Sequence, residues 1–167
     1  MMRKLYLVFL ALLVLGPCAL AEGTGKTRVA CVGSSTTYGA GLPDREKTCY
    51  PAQMQQLLGD GYEVKNFGIN GRTMLKHGDF PYWKSDAYRD AQAFNPNIVV
   101  IYLGGNDSKP QNWKFKDEFA IDARAMIESF RALSAKPRVI LALPMPAVKV
   151  NFGINDEVIK QEIPILR

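Results

Sequence analysis

Three short segments hold side chains and glycines that could support nucleophilic chemistry. Gly33-Ser34-Ser35-Thr36-Thr37 places hydroxyls directly after a glycine. A glycine at a strand end permits a tight turn, so a serine there can turn its hydroxyl and its backbone N–H into the same space. Taken alone, the cluster also reads as a loop or helix cap. It is not a Gly-x-Ser-x-Gly elbow, because Thr37 stands where the second glycine would be. Asn66-Phe67-Gly68-Ile69-Asn70-Gly71-Arg72-Thr73 carries two glycines, suited to a sharp turn or to close approach of a ligand. Gly104-Gly105-Asn106-Asp107 can aim an Asn amide into a crevice or simply form a turn. Asn106-Asp107-Ser108 also fits a glycosylation sequon, and a glycan there is incompatible with a role for Asn106 in an active site. A serine nucleophile needs a base. The single histidine is His77, with no Asp three positions before it.

Each of these segments follows a strand-like run. Arg28–Val32 is a short apolar run ending at Gly33, Tyr62–Phe67 alternates, and Ile98–Leu103 is a continuous apolar run of the kind covered on both faces. A fourth strand is expected over Val139–Leu143, after Pro137. Helices are expected over Tyr50–Leu58, Lys114–Leu133 and from Asp156 to Ile163. In the second of these, Phe115, Phe119, Ala123, Met126, Phe130 and Leu133 recur at three- and four-residue steps. Alternating strands and helices imply an α/β three-layer sandwich, an open parallel sheet with helices on both faces. Such sheets place their sites at the carboxyl ends of the strands, where the three segments fall.

Together the segments resemble the opening, second and third blocks of the SGNH (GDSL-like) hydrolases. Gly33-Ser34-Ser35 is similar to the Gly-Asp/Asn-Ser block, with Ser34 at the Asp/Asn position and Thr36 where Leu or Ile is usual. Asn66 through Thr73 resembles the second block, with Gly71 at its key glycine, and Gly104-Gly105-Asn106-Asp107 matches Gly-x-Asn-Asp throughout. The resemblance spans about Arg28 to Arg167 and implies a flavodoxin-like SGNH hydrolase fold. It also implies a serine esterase in which Ser35 attacks an ester carbonyl, and the Ser35 N–H, the Gly71 N–H and the Asn106 side chain hold the oxyanion. The family takes its base from an Asp-x-x-His block beyond a fifth strand, and this sequence contains neither. The resemblance therefore implies a domain lacking its C-terminal strand and helix, with little activity alone. Secreted bacterial members linked to polysaccharide breakdown are the most similar in look, which implies O-acetyl groups on carbohydrates as substrate. A lysophospholipase- or thioesterase-like hydrolase and a catalytically dead carbohydrate-binding remnant are the alternatives.

The remaining sequence narrows these readings. Met1-Met2-Arg3-Lys4, the apolar run Leu5–Leu15 and an Ala-x-Ala end at Ala21 read as a secretory signal peptide over 1–21, leaving a domain over 22–167. A secreted or periplasmic protein with no stable membrane insertion after cleavage is expected. Leu15-Gly16-Pro17-Cys18 fits a lipobox poorly because of Pro17. The formal net charge is +5, and acids and bases are interleaved, which gives nucleic-acid binding no support. With one histidine and no Cys/His cluster, neither a metal nor a cofactor is expected. Cys31 and Cys49 are expected as free thiols, Cys31 being inside a buried strand. Gly25-Lys26-Thr27 lacks the earlier glycine of a P-loop and precedes a strand, so it carries no function. Phe80, Tyr82, Trp83 and Tyr88 form an aromatic group that can stack on sugar or pack internally. The sequence does not indicate an oligomeric state.

Overall fold

The computed structural model describes residues 25–146 and 152–167, so the expected leader at 1–21 lies outside the described residues. β1 (Thr27–Gly33), β2 (Tyr62–Gly68), β3 (Ile98–Tyr102) and β4 (Arg138–Leu141) form a parallel sheet in the order β2-β1-β3-β4. Between them run α1 (Ser35–Tyr38), α2 (Arg45–Thr48), α3 (Tyr50–Leu58), α4 (Asp86–Ala93), α5 (Pro110–Trp113) and α6 (Phe119–Arg131). After β4 comes α7 (Asp156–Leu166). This is the expected α/β architecture.

The period-two geometry of β1 sorts its side chains between two helical layers. Ala30 and Val32 join Val99, Ile101, Ala91 of α4, and Ala123, Met126 and Phe130 of α6 in one buried cluster. Cys31 points the other way, toward Tyr50 of α3. Both Cys31 and Cys49 are buried free thiols, and burial pushes the Cys31 thiol up to about 12.

Two boundaries differ from expectation. The helix expected over Lys114–Leu133 begins only at Phe119. Phe115 takes φ −98° and ψ 19°, outside the helical region, and a 3₁₀ turn over Lys116–Glu118 follows it. Proline at the first turn of the separate α5 starts a short helix of its own. Strand four begins at Arg138 and ends at Leu141, with one further bond from Ala142 N–H to Ile101 O at 2.8 Å before Pro144. The alternation also demanded a helix between β2 and β3. It is α4, capped by Ser85, whose hydroxyl accepts the Tyr88 N–H.

The aromatic group resolves as packing. Tyr82 is fully buried and donates from its hydroxyl to Phe67 O at 2.7 Å. Trp83 donates its indole N–H to Met74 O at 2.8 Å, and Tyr88 packs against Tyr82, Trp83 and Phe130. Phe80 stays exposed.

The chain reverses its direction of winding between β1 and β3, the switch point where open parallel sheets leave a crevice. Gly33 ends β1 at that point. A Cβ there would lie 2.0 Å from Thr37 Oγ1 and 2.6 Å from the Tyr102 carbonyl. Gly33→Ala is therefore expected to destabilise the fold by about 1–3 kcal/mol, the usual cost of overpacking. Urea unfolding checks this, and a midpoint equal to wild type would contradict the tight approach.

Candidate active site

Ser35 is the first residue of α1, directly after the β1 strand end. Its N–H has no partner within the helix, as for any first-turn residue. Its carbonyl accepts the N–H groups of Gly39 and Ala40 at 2.9 and 3.0 Å, which fixes the turn. Behind it Thr37 is fully buried and shares a hydrogen bond with Tyr50 Oη.

The loop after β2 is tied to this turn. Asn66 donates from Nδ2 to Thr37 O at 2.8 Å and accepts the Gly68 N–H at 2.9 Å. The Ile69 N–H reaches Gly33 O at 3.1 Å. Gly71 then takes φ +77° with no atom near its missing Cβ. Conformation, and not space, is what requires glycine here.

The loop after β3 is tied to the loop after β2. Asn106, 5% exposed, donates from Nδ2 to Arg72 O at 3.1 Å. A primary amide has two N–H donors, so one remains for another acceptor. The buried Asp107 accepts the Met74 N–H at 3.0 Å and the Leu75 N–H at 2.7 Å. Burial pushes its carboxyl up to about 7 against the opposite pull of these donors. Asn112 supports the loop from below by donating to Asn106 O at 2.8 Å. The burial of Asn106 and Ser108 leaves no place for a glycan on the sequon.

Ser35, Gly71 and Asn106 line one cleft of about 520 Å³. A second hollow of about 230 Å³ borders Ser35 and Asn106 from the β4 side, with Tyr102, Pro144 and Ile159 in its walls. His77 is not among these residues. It is exposed, and its Nδ1 lies 2.6 Å from Glu118 Oε2. No group of three or more His, Cys, Asp or Glu side chains that could hold a metal occurs among the described residues. No described helix is long and apolar enough to cross a membrane.

Sequence reasoning missed several groups around the cleft. Leu42, Lys109, Phe152 and Ile154 are part of its lining, and none belongs to a recognisable motif. It also missed Glu162. This α7 residue is fully buried beneath the third loop, and neither carboxyl oxygen has a hydrogen-bond partner among the described residues. A Cβ on Gly104 would sit 3.0 Å from Glu162 Oε2.

Comparison with known proteins places this geometry. The model of the GDSL-like Lipase/Acylhydrolase family matches residues 31–164. An acetylxylan esterase of Xylanibacter ruminicola is 48% identical over 81% of this chain. The chain spans about a third of that relative, 32% of its length. Among solved structures, a carbohydrate acetylesterase family member from Sinorhizobium meliloti superposes with a TM-score of 0.63 at 19% identity. That match covers 84% of this chain and 76% of the other. The native aryl esterase of M. smegmatis gives a TM-score of 0.59 at 20% identity, covering 84% and 75%. At these identities the two structures share the fold with this chain.

Glu162 generates a pH prediction. Burial, helped by the nearby Asp107 charge, pushes its carboxyl up to about 9 from an ordinary 4.5. The folded chain then holds a proton that the unfolded chain has released. Stability is fully present below about 4.5 and is lost as pH rises toward 9. Glu162→Gln removes that dependence. Its melting temperature is expected to match wild type near pH 5 and to exceed it by several degrees near pH 8.5. Parallel melting curves across that range would contradict the buried neutral acid.

Proposed function

This chain belongs to the GDSL-like lipase/acylhydrolase family, and we propose that it is the nucleophile-bearing part of a serine esterase that removes O-acetyl groups from carbohydrates. The observation that carries this reading is the convergence of Ser35, Gly71 and Asn106, each from the loop after a different strand, on one cleft. The acetylxylan esterase relative supports an acetylated polysaccharide as substrate. A secreted or periplasmic location, proposed from the leader-like residues 1–21, suits a polymer that does not enter the cell.

The chemistry follows from the placement. Ser35 Oγ attacks the acetyl carbonyl carbon while its proton passes to a base. The negative charge that develops on oxygen is met by the N–H groups of Ser35 and Gly71 and by Asn106 Nδ2. Donors already fixed in place stabilise that charge without reorganising. Collapse of the tetrahedral intermediate breaks the carbon–oxygen bond to the sugar, which leaves as an alcohol after taking the proton. Water then hydrolyses the acetyl-serine by the same route. His77 is outside the cleft lining, exposed and held against Glu118, which does not support it as that base.

The apolar lining residues Leu42 and Ile154 favour a second reading, hydrolysis of longer acyl chains. Comparing C2 with C8 esters separates the two. Preference for C8 would replace the acetylesterase reading.

In the full-length protein, Asn106→Ala is expected to lower kcat by ~10²–10³, the worth of one oxyanion donor. A change below threefold in steady-state hydrolysis of p-nitrophenyl acetate would remove Asn106 from the oxyanion site.

Residues 22–167 alone are expected to turn over p-nitrophenyl acetate at a rate lower by ~10⁶ than a complete triad would, because triad members act as a unit. Assay beside Ser35→Ala and His77→Ala variants checks this. Robust turnover abolished by both substitutions would make His77 the base.

A further inference from the structure

Phe152 is the most exposed large apolar side chain of the described residues, at 90%. Burying such a ring is worth roughly 1.5–3 kcal/mol, so packing does not account for it. Its backbone takes φ +57°, a conformation that a bulky side chain adopts only at a cost. A singly exposed apolar residue is ordinary, and Leu57 at 87% is one. Phe152 differs in lining the same cleft as Ser35, Gly71 and Asn106. The stem of Lys109, the charged residue of that lining, runs close to Gly153, with Cγ 3.9 Å from where a Cβ would stand.

These groups suit the alcohol side of the ester. The acetyl group is small and is consumed at Ser35. Whatever bears it must extend toward solvent past the rim, where the exposed ring stands. An acyl chain seeks an enclosed apolar channel, and a ring almost wholly open to water does not provide one. A pyranose presents a face of C–H groups edged by hydroxyls. Its face can lie on an aromatic ring while an ammonium with three donors reaches its oxygens. Resting on the esterase reading, we propose that Phe152 is the platform on which the sugar ring carrying the acetyl group stacks, with Lys109 donating hydrogen bonds to that sugar's oxygens.

The test uses the full-length protein and two acetyl esters, acetylated xylotetraose and triacetin, which has no ring. Phe152→Ala is expected to raise the ratio of the two KM values, sugar ester over triacetin, by ~10-fold, equivalent to about 1.4 kcal/mol of lost contact. Phe152→Trp should restore the ratio, and Lys109→Met should raise it several-fold. Binding of unacetylated xylotetraose to Ser35→Ala protein, followed by calorimetry, should weaken ~10-fold on adding Phe152→Ala. An unchanged KM ratio, or unchanged oligosaccharide affinity, overturns the platform. Triacetin hydrolysis that survives Ser35→Ala overturns Ser35 as the nucleophile, and no triacetin hydrolysis by the full-length wild-type protein overturns the esterase reading itself. Ser35-dependent hydrolysis with no discrimination by Phe152 sinks the platform alone.

Discussion

The Asp107 carboxylate is the fastening on which the candidate site depends. It accepts the N–H groups of two consecutive residues, Met74 and Leu75, and so binds the loop after β2 to the loop after β3. Consecutive backbone donors can converge on one carboxylate only if that loop holds a fixed bend. The bend keeps Arg72 O within 3.1 Å of Asn106 Nδ2, and Gly71 lies one residue before Arg72. A buried carboxylate is costly unless its oxygens are matched by donors. Here both oxygens are matched, and loss of the side chain would leave two N–H groups unsatisfied in a dry interior.

The first loop is fastened differently, through a neutral amide. Asn66 lies on β2, yet its Nδ2 reaches the carbonyl of Thr37 in α1. Its Oδ1 holds the Gly68 N–H, so one side chain sets both the exit of β2 and the back of the serine turn. Ser35, Gly71 and Asn106 are thus three points of a single hydrogen-bonded frame over the β1/β3 switch point. The sheet brings the three loops to one edge, and Asp107 and Asn66 fix their mutual distances. In the reaction proposed above, little adjustment would then be left for the moment when charge develops.

What the sequence disclosed follows from where its signals lie. That Ser35, Gly71 and Asn106 share one edge of the sheet was legible because each sits at a fixed offset from the end of a strand, and the strands announce themselves by apolar runs. The parallel α/β architecture was legible for the same reason. α4 was not located, because its segment Asp86–Ala93 is mostly polar and its start is marked by a single serine cap. The start of α6 was misplaced because Phe115 continues the apolar period without sharing the helix; its ring lies against exposed His77 instead. Lys109 and Phe152 carry no periodic or motif signal, and only the tertiary fold brings them to the same wall as Ser35. Glu162 was hidden for another reason. A glutamate in an amphipathic helix reads as solvent-facing, and nothing local says that it turns inward.

That inward glutamate bears on the electrostatics of the cleft. The oxyanion site proposed for this cleft would be weakened by negative charge close behind its donors. Two carboxyl groups, Asp107 and Glu162, lie beneath the loop that carries Asn106. In a low-dielectric interior, like charges so close are not both retained. Asp107 has the hydrogen-bond donors and Glu162 has none among the described residues, so Glu162 is the one that keeps its proton. The Asp107 oxygens are both taken up by the Met74 and Leu75 N–H groups. On the cleft side stands Lys109, a cation. In the esterase proposed above, a cation in the cleft lining and a protonated Glu162 would both favour negative charge on the reacting oxygen.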